Sequence, residues 1–285
     1  MSDIHPTAIV SSQAIIGRNV RIGAYSIIEA DVRIGDECGI DSHVVVKSGT
    51  SIGNQNQIHA GAVIGDAPQH QNCPEKTGTL EIGNGNVIRE FVTIHRGLKE
   101  CDKTSVGDSN LLMANAHVGH DCVVGNLTII ANNAMIAGHV HINDQAYVSG
   151  AVGIHQFCRV GRLAMVGGQA HITKDVPPFV TVDGLSSRIV GLNLVGLRRA
   201  GLNTNAIRML KAAYRLAFRS GLRWEAMLEK MNSSLEGEYA NELYDFMSNS
   251  KRGCILERAT PKTATIRLRK FDSHESQTDS KTDAA

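Results

Sequence analysis

The feature that most constrains this chain is an aliphatic residue at almost every sixth position from Ile4 to Ile172. Of the 29 positions on this grid, only His70, Lys76 and Glu100 are not Ile, Val or Leu. An α-helix, with a period of about 3.6 residues, and an ordinary strand, with a period of about 2, do not produce this spacing. A solenoid does, if each six-residue unit forms a short strand and a corner, and three units close a triangular coil. The sequence therefore predicts an all-β parallel β-helix of about eight or nine coils, roughly 40 Å long.

Two further positions of the six-residue unit support this interpretation. Four residues after the aliphatic residue the side chain is usually small, as at Ala62 and Ala116, which fits a narrow triangular core. A glycine often follows the aliphatic residue directly, as at Gly107 and Gly125. We expect these glycines to provide unusual backbone angles at the corners of the coil.

Two segments leave the grid and are predicted to form loops outside the prism. Residues 67–80 are polar and contain two prolines, and residues 97–105 are charged. Neither segment has the aliphatic residues needed to stack inside a solenoid, so both are expected at the surface.

The repeat predicts three regions along the chain. The β-helix is expected over residues 1–187, where the paired prolines of Asp175–Val180 stop it, because proline cannot continue a strand ladder. A helical region is expected over residues 188–257, with a cap within Asn203–Asn205 at the start of an amphipathic helix. Residues 258–285 are rich in Lys, Thr, Ser and Asp, and we expect them to be disordered.

Composition narrows the classes of function. The formal net charge of +1 argues against nucleic acid as the main partner. The chain has no run of about 18 apolar residues, so no transmembrane segment is expected, and the early start of the repeat leaves no room for a signal peptide. The six cysteines form no CxxC pair. We expect reduced thiols in a cytoplasmic protein.

A stacked prism needs no histidine, yet several occur at corresponding positions of successive coils. His117 and His120 lie in the segment NAHVGHDC, His139 lies in AGHVH one coil later, and His155 lies one coil further on. Residues 120 and 138 are 18 positions apart, which is one full coil. They are therefore expected to stack on one surface about 5 Å apart.

Three interpretations of this histidine group are open. The first is a polar ladder that stabilises the outside of the prism. The second is a zinc site with His117, His120 and His139 as three ligands, as in catalytic zinc sites. The third is general-base catalysis, in which Asp121 orients the imidazole of His120 and the backbone N–H of Gly138 stabilises a developing oxyanion.

Several motifs together resemble the acyl-carrier-protein-dependent UDP-N-acetylglucosamine O-acyltransferases, which catalyse the first step of lipid A synthesis. The resemblance extends from about residue 4 to residue 250. The hexapeptide repeat alone is shared by many acyltransferases, whereas the motifs are specific. They are VTIHRG (92–97), SNLLMANAHVGHDC (109–122), NNAMIAGHV (132–140), HQFCRVG (155–161), MVGG (165–168) and DVPPFV (175–180).

The resemblance implies a left-handed parallel β-helix that assembles as a homotrimer, with active sites in clefts between neighbouring prisms. It implies that His120 is the general base, that Asp121 orients it and that the N–H of Gly138 holds the oxyanion. The 3-hydroxyacyl group would arrive on the phosphopantetheine of acyl carrier protein. That thioester is already activated, so no metal and no further cofactor are expected.

The resemblance also implies a set of substrate-binding residues. His117, His139 and Gln156 correspond to family positions that line the sugar and thioester region. His155 is included with them, although its place after an inward aliphatic residue also suits a structural role. Gly168 corresponds to the position that limits acyl length, and its lack of a side chain predicts a long acyl chain.

The chain departs from the family pattern at the positions that contact the sugar nucleotide. The first loop usually reads like PQDLKY, but here it reads PQHQNC, so His70 and Asn72 replace an acidic residue and a lysine. Asn193 matches the family, whereas Val195 stands at an acidic position and Ala200 at an arginine position.

Two arginines near these positions are kept. Arg198 and Arg199 are candidates for contacts with phosphate or with acyl carrier protein. Because the nucleotide contacts are altered, two acceptors are open: UDP-N-acetylglucosamine, or a 3-amino UDP-sugar that would form an amide. A zinc carbonic anhydrase of the β-helix type and a non-catalytic scaffold are the alternatives from other classes.

Overall fold

The computed structural model describes residues 2–259 and shows a triangular prism of parallel strands followed by helices. Most strands are two residues long, because each six-residue unit provides one short strand before the chain turns a corner. Strands three units apart pair in parallel, so that every face of the prism is one sheet. We call the faces the first, second and third sheets, in the order in which the chain enters them.

The bounds of the strands follow the six-residue grid. The first sheet contains β1 (Asp3–Ile4), β4 (Arg21–Ile22), β7 (Gly39–Ile40), β10 (Gln57–Ile58), β13 (Val87–Ile88), β16 (Leu111–Leu112), β19 (Ile129–Ile130), β22 (Tyr147–Val148), β25 (Met165–Val166), β27 (Val180–Val182) and β28 (Ile189–Leu192). The second contains β2 (Ile9–Val10), β5 (Ile27–Ile28), β8 (Val45–Val46), β11 (Val63–Asp66), β14 (Thr93–His95), β17 (His117–Val118), β20 (Met135–Ile136), β23 (Gly153–Ile154) and β26 (His171–Ile172). The third contains β3 (Ile15–Ile16), β6 (Arg33–Ile34), β9 (Thr50–Ile52), β12 (Thr79–Ile82), β15 (Lys103–Val106), β18 (Val123–Val124), β21 (His141–Ile142) and β24 (Arg159–Val160).

In most units the aliphatic residue ends its strand and points into the prism. Val118 and Ile136 are fully buried and lie one above the other, because β17 and β20 pair in register. The small residues at the fourth following position, such as Ala62 and Ala116, are also fully buried. The predicted parallel β-helix is confirmed.

The glycines that follow the aliphatic residues have a different role from the expected one. Gly107 and Gly125 do not have a positive φ, and the left-handed conformation falls two residues later, at Ser109 and Leu127. A Cβ on Gly107 would instead lie 2.7 Å from the carbonyl oxygen of Gly125, one coil away. The expectation of unusual angles was wrong, because what these glycines permit is the close approach of stacked corners.

A ladder of Asp and Asn side chains runs along the corner between the third and first sheets. Asp108 Oδ1 accepts a hydrogen bond from the N–H of Asn84 (2.6 Å). Asn126 Oδ1 accepts one from the N–H of Asp108, and Asp144 Oδ1 accepts one from the N–H of Asn126, both at 2.8 Å. Each side chain therefore satisfies a backbone donor that the strand ladders leave without a partner.

Both loops leave the prism at the corner between the second and third sheets, which we call the loop corner. Residues 67–78 connect β11 to β12, and residues 96–102 connect β14 to β15. The predicted loops, 67–80 and 97–105, included the first residues of β12 and β15. The two loops lie against each other, with Lys76 Nζ 3.7 Å from Glu100 Oε1.

The paired prolines do not end the prism, contrary to expectation. They lie in the turn before β27, so no strand hydrogen bond is lost, and β27 pairs in parallel with β25. Strand β28 then returns antiparallel to β27. Strand β28 begins at Ile189. It therefore lies beyond residue 187, the expected end of the β-helix, in a segment that was expected to be helical.

Four helices follow the last strand: α1 (Leu194–Arg199), α2 (Thr204–Arg219), α3 (Trp224–Ser234) and α4 (Glu238–Ser248). Asn203 caps α2, as predicted, with its Oδ1 accepting from the N–H of Ala206 at 2.9 Å. None of the helices in the described part of the chain has the length and apolar character needed to cross a bilayer. The tail predicted for residues 258–285 lies, from residue 260 onward, outside the described residues.

Gly107→Ala is expected to lower the free energy of unfolding by about 1–3 kcal/mol, because the added methyl group collides with the backbone of the next coil. Gly150→Ala is the matched control, since the nearest atom to its Cβ would be Asn132 O at 3.4 Å. We expect a change within about 0.5 kcal/mol for this control. Urea unfolding at one protein concentration measures both variants. Equal losses in the two would contradict the close-approach explanation.

Candidate active site

The histidine group lies at the loop corner. His120 follows Val118 by two residues and Gly138 follows Ile136 by two residues, so the strand register places one above the other. The N–H of His139 donates to the carbonyl oxygen of His120 (2.9 Å), which ties the two coils together here. His120 is only 6% exposed.

Gly138 lies directly beneath the His120 ring. A Cβ at residue 138 would lie 2.7 Å from both Cε1 and Nε2 of His120, so only glycine leaves room for the imidazole. The N–H of Gly138 forms no hydrogen bond within the described part of the chain. At the equivalent position of the Asp/Asn ladder, by contrast, the N–H of Asn126 is bonded to Asp144. Gly138 therefore offers an unpaired backbone donor beside an imidazole edge.

Asp121 fixes the tautomer of His120. The distance from His120 Nδ1 to Asp121 Oδ2 is 2.6 Å. Because the ionised carboxylate only accepts, Nδ1 carries the proton and Nε2 of the neutral ring has the free lone pair. The backbone N–H of Leu98, from the second loop, also points to the Asp121 carboxylate (3.3 Å). The N–H of Asp121 donates to Thr104 Oγ1 at 2.7 Å.

His139 lies beside both His120 and Asp121. Its ring is edge-on to His120, with 5.0 Å between ring centroids, and its Nε2 lies 3.6 Å from Asp121 Oδ2. Phe157, one coil further on, stacks on His139 at 4.6 Å and 11°. Burial lowers the pKa of His139, so the ring is mainly neutral at pH 7.

His117 lies on β17 and packs against His95. Its Nδ1 is 2.9 Å from Thr93 Oγ1, and its ring centroid is 5.2 Å from that of His95. Burial, followed by the charges of His95 and His120, lowers the pKa of His117 to about 4. The side chain is therefore a neutral hydrogen-bonding group at physiological pH.

Two residues at this corner had no role in the sequence analysis. His95 is buried and donates from Nδ1 to the carbonyl oxygen of Ala67 (2.6 Å), which anchors the first loop. Phe157 supports His139. His95 lies inside the motif VTIHRG, and Phe157 lies inside the motif HQFCRVG. The available signal was that each follows an inward aliphatic residue of the second sheet by one to three residues, as His120 does.

The first loop brings His70 to the same place. Its ring is edge-on to His120, with centroids 5.8 Å apart. Asn72 contributes through its backbone, because its N–H donates to His70 Nδ1 at 3.1 Å. His155 and Gln156 lie exposed at the same corner one coil beyond Gly138, and His155 Nδ1 donates to the carbonyl oxygen of Gln156 (3.2 Å).

The other candidate residues lie elsewhere on the chain. Gly168 is exposed at the corner between the first and second sheets, not beside His120. Arg199 lies at the C-terminal end of α1, on the first sheet, and lines a cavity of about 800 Å³ with Val195 and Ala200. Arg198 is exposed and is not among the residues that line this cavity.

Asn193 is less available than the sequence suggested. Its Nδ2 donates to the carbonyl oxygen of Leu163 (2.9 Å), and its Oδ1 accepts from the N–H of Gly196 (3.0 Å). Both ends of the amide therefore hold α1 against the prism, although Asn193 also lines the cavity.

The three histidines of the zinc hypothesis, His117, His120 and His139, do not come together as one set of ligands. The ligand atoms that lie within 4.8 Å of one another belong to His120, Asp121 and His139, and His117 is not among them. His120 Nδ1 is engaged by Asp121, and His117 Nδ1 by Thr93.

Comparison with known proteins gives a consistent result. The C-terminal region, residues 175–255, matches the profile of domain 2 of UDP-N-acetylglucosamine O-acyltransferase. Residues 103–138 match the six-repeat profile of the bacterial transferase hexapeptide.

Two relatives illustrate the extent of the similarity. A protein of Gloeothece citriformis is 48% identical over 195 residues, which cover 68% of this chain and 71% of its own. One of Halorhodospira halophila is 44% identical over 260 residues, covering 90% of this chain and all of its own (100%). Both are named as acyl-carrier-protein–UDP-N-acetylglucosamine O-acyltransferases.

Solved structures agree with these relatives. The UDP-N-acetylglucosamine acyltransferase of Francisella novicida has a TM-score of 0.86 at 36% identity, over 89% of this chain and 94% of its own. The corresponding protein of Acinetobacter baumannii has a TM-score of 0.84 at 41% identity, over 88% and 99%. The predicted left-handed β-helix with C-terminal helices is thereby confirmed. From end to end of its described fold, the chain belongs to the family of acyl-carrier-protein-dependent UDP-N-acetylglucosamine O-acyltransferases.

Proposed function

We propose that this protein transfers a 3-hydroxyacyl group from acyl carrier protein to the glucosamine 3-hydroxyl of UDP-N-acetylglucosamine, the first step of lipid A synthesis. Family membership supports this proposal. The observation that carries it is the pair formed by His120 and Gly138. The imidazole has its Nδ1 committed to Asp121, and its Nε2 edge lies beside Gly138, whose backbone N–H forms no hydrogen bond with the described residues.

This geometry suits attack by a hydroxyl on a thioester. Nε2 of His120 removes the proton while the sugar oxygen bonds to the thioester carbonyl carbon, and the carbonyl oxygen becomes an oxyanion. The N–H of Gly138 donates to that oxyanion. When the oxyanion collapses and the C–S bond breaks, the protonated His120 gives the proton to the leaving phosphopantetheine thiolate. Asp121 stabilises the imidazolium between these steps.

The rate enhancements expected from the general base and from the oxyanion donor are large enough for such an enzyme. A positioned general base contributes about 10²–10⁴ in rate, and one oxyanion donor about 10²–10³. His117 and His139 are neutral in this site and are proposed to hydrogen-bond the sugar and the thioester region, together with His155 and Gln156. The acyl group is supplied on the phosphopantetheine of acyl carrier protein, and we propose that this step uses no other cofactor.

We propose that the protein is a homotrimer, which its family resemblance implies and which the separation of the candidate residues supports. His120, Gly168 and Arg199 lie on different parts of one prism: the loop corner, the corner between the first and second sheets, and the end of α1 on the first sheet. A substrate with a nucleotide, a sugar and a long acyl chain would reach all three only where two copies meet. We therefore propose clefts between neighbouring prisms as the active sites, in a protein expected in the cytoplasm.

A 3-amino UDP-sugar is the second candidate acceptor. It stays open because the nucleotide contacts are altered: Val195 and Ala200, which stand at an acidic and an arginine position of the family, both line the cavity. Nitrogen would attack the same thioester and give an amide.

His120→Ala is expected to lower kcat by about 10²–10⁴, because the base is lost while the fold is kept. His43→Ala is the control, since His43 lies in an early coil and stacks on Tyr25. Steady-state kinetics with both substrates, and size-exclusion chromatography of both variants, provide the measurement. A His120→Ala protein with more than about a tenth of normal turnover would rule out this base.

Gly168→Met is expected to shift the preference toward shorter acyl chains, because a long side chain would enter the proposed groove. Gly168→Ala is the matched control, since its Cβ would meet nothing closer than Gly150 O at 3.4 Å. Competition among 3-hydroxyacyl carrier proteins of graded length measures the shift. An unchanged preference in the Met variant would remove Gly168 as the length determinant.

The acceptor is decided by incubating the protein with 3-hydroxyacyl carrier protein and either UDP-N-acetylglucosamine or its 3-amino analogue. We expect the hydroxyl acceptor to be used, because Asp121 and His120 form a base suited to removing a hydroxyl proton. Mass spectrometry distinguishes the ester from the amide. Turnover of the amine alone would overturn the oxygen-acceptor assignment.

A further inference from the structure

Phe157 is the last of three side chains that form a column at the loop corner. Asp121, His139 and Phe157 follow one another at intervals of one coil, and all three have a left-handed backbone, with φ of 59°, 59° and 64°. Their side chains therefore leave the prism in the same direction. His139 Nε2 lies 3.6 Å from Asp121 Oδ2, and the ring centroids of His139 and Phe157 are 4.6 Å apart. The column connects an exposed phenyl ring to the carboxylate that orients His120.

The Phe157 ring is held against His139 by the regular structure of the coil. The backbone N–H of Phe157 donates to the carbonyl oxygen of Gly138 (3.3 Å), so residue 157 keeps its place whatever its side chain. The two rings are within 11° of parallel. The Phe157 side chain is 54% exposed, and the core of the prism therefore does not depend on it. A substitution here mainly removes the contact with His139.

The surroundings of His139 show what this contact does. Four titratable groups act on the imidazole: two carboxylates, which favour its charged form, and two imidazoles, which oppose it. They are Asp121, Asp102, His120 and His70. Burial is the largest influence, and it lowers the pKa of His139.

A charged His139 would weaken the support for the general base. Its Nε2 lies 3.6 Å from the same Asp121 oxygen that lies 2.6 Å from His120 Nδ1. Phe157 covers one face of the His139 ring, and water in place of the phenyl ring would favour the charged form. The carboxylate would then be shared between two imidazoles.

We propose that Phe157 is a positioning residue, whose ring holds the His139 imidazole edge-on to His120 and so leaves the Asp121 carboxylate to the general base. The inference rests on the proposed function. It adds a residue that acts through another side chain and not on the reacting atoms.

A double-mutant cycle tests the dependence on His139. We expect Phe157→Ala to lower kcat about 3–10-fold in the parent chain, the value of one aromatic pair, and less than about twofold in the His139→Ala background. Phe157→Tyr retains the ring and is expected to stay within about twofold of the parent chain. Equal losses in the two backgrounds, or no loss in the parent chain, would overturn the inference.

NMR titration of the His139 ring gives a second measurement that does not depend on turnover. The pKa of His139 is expected to rise in Phe157→Ala, because water reaches the uncovered face of the ring. An unchanged pKa would also overturn the inference.

Phe91→Ala is the matched control. Phe91 is a phenylalanine of similar exposure (62%) and also has a left-handed backbone (φ 58°), but it lies at the corner between the first and second sheets. We expect normal turnover and an unchanged pKa of His139. A loss of turnover equal to that of Phe157→Ala would assign the effect to the prism and contradict the proposal. An error in the proposed function shows differently, since the unsubstituted chain would then fail to use UDP-N-acetylglucosamine while the pKa of His139 still responded to Phe157→Ala.

Discussion

The parallel pairing of strands one coil apart is the interaction on which the rest of the structure depends. Val118 pairs with Ile136, and this register alone places His120 over Gly138 two residues later. A slip of one residue would turn the aliphatic side chains out of the prism, so the hydrophobic core enforces the register. The alignment of the proposed catalytic groups is therefore maintained by the burial of residues that take no part in the chemistry.

The site lies at a corner where the backbone N–H of Gly138 lacks the side-chain acceptor found at another corner of the prism. Along the corner between the third and first sheets, side chains such as Asp144 and Asn126 satisfy the backbone donors of the preceding coil. At the loop corner the corresponding N–H of Gly138 has no hydrogen-bond acceptor among the described residues, and the His120 ring lies beside this glycine. An unpaired donor of this kind reduces stability. A stiff, repetitive scaffold tolerates that cost because many neighbouring coils are fully paired.

The six-residue repeat predicted the prism, its core and the vertical alignment of residues 120 and 138, because strict periodicity specifies register. The motifs then identified the family. The reason for the glycines at positions such as 107 was missed, since it depends on the distance to the next coil. The strand at Ile189–Leu192 was missed because it pairs antiparallel with β27 and so lies outside the parallel repeat that the period marks. The anchoring of the first loop by His95 could not be foreseen, because off-grid segments carry no period from which to place them.

Both loops emerge from the same edge, and each returns the chain to the aliphatic grid, so neither disturbs the pairing above or below it. Substitutions in the loops therefore need not disturb the prism. Residues such as His70 can change while His120 and Gly138 stay aligned. An architecture of this type allows loop residues to change while the stacked coils keep their alignment. Diversity among related acyltransferases should therefore concentrate along one ridge of the molecule.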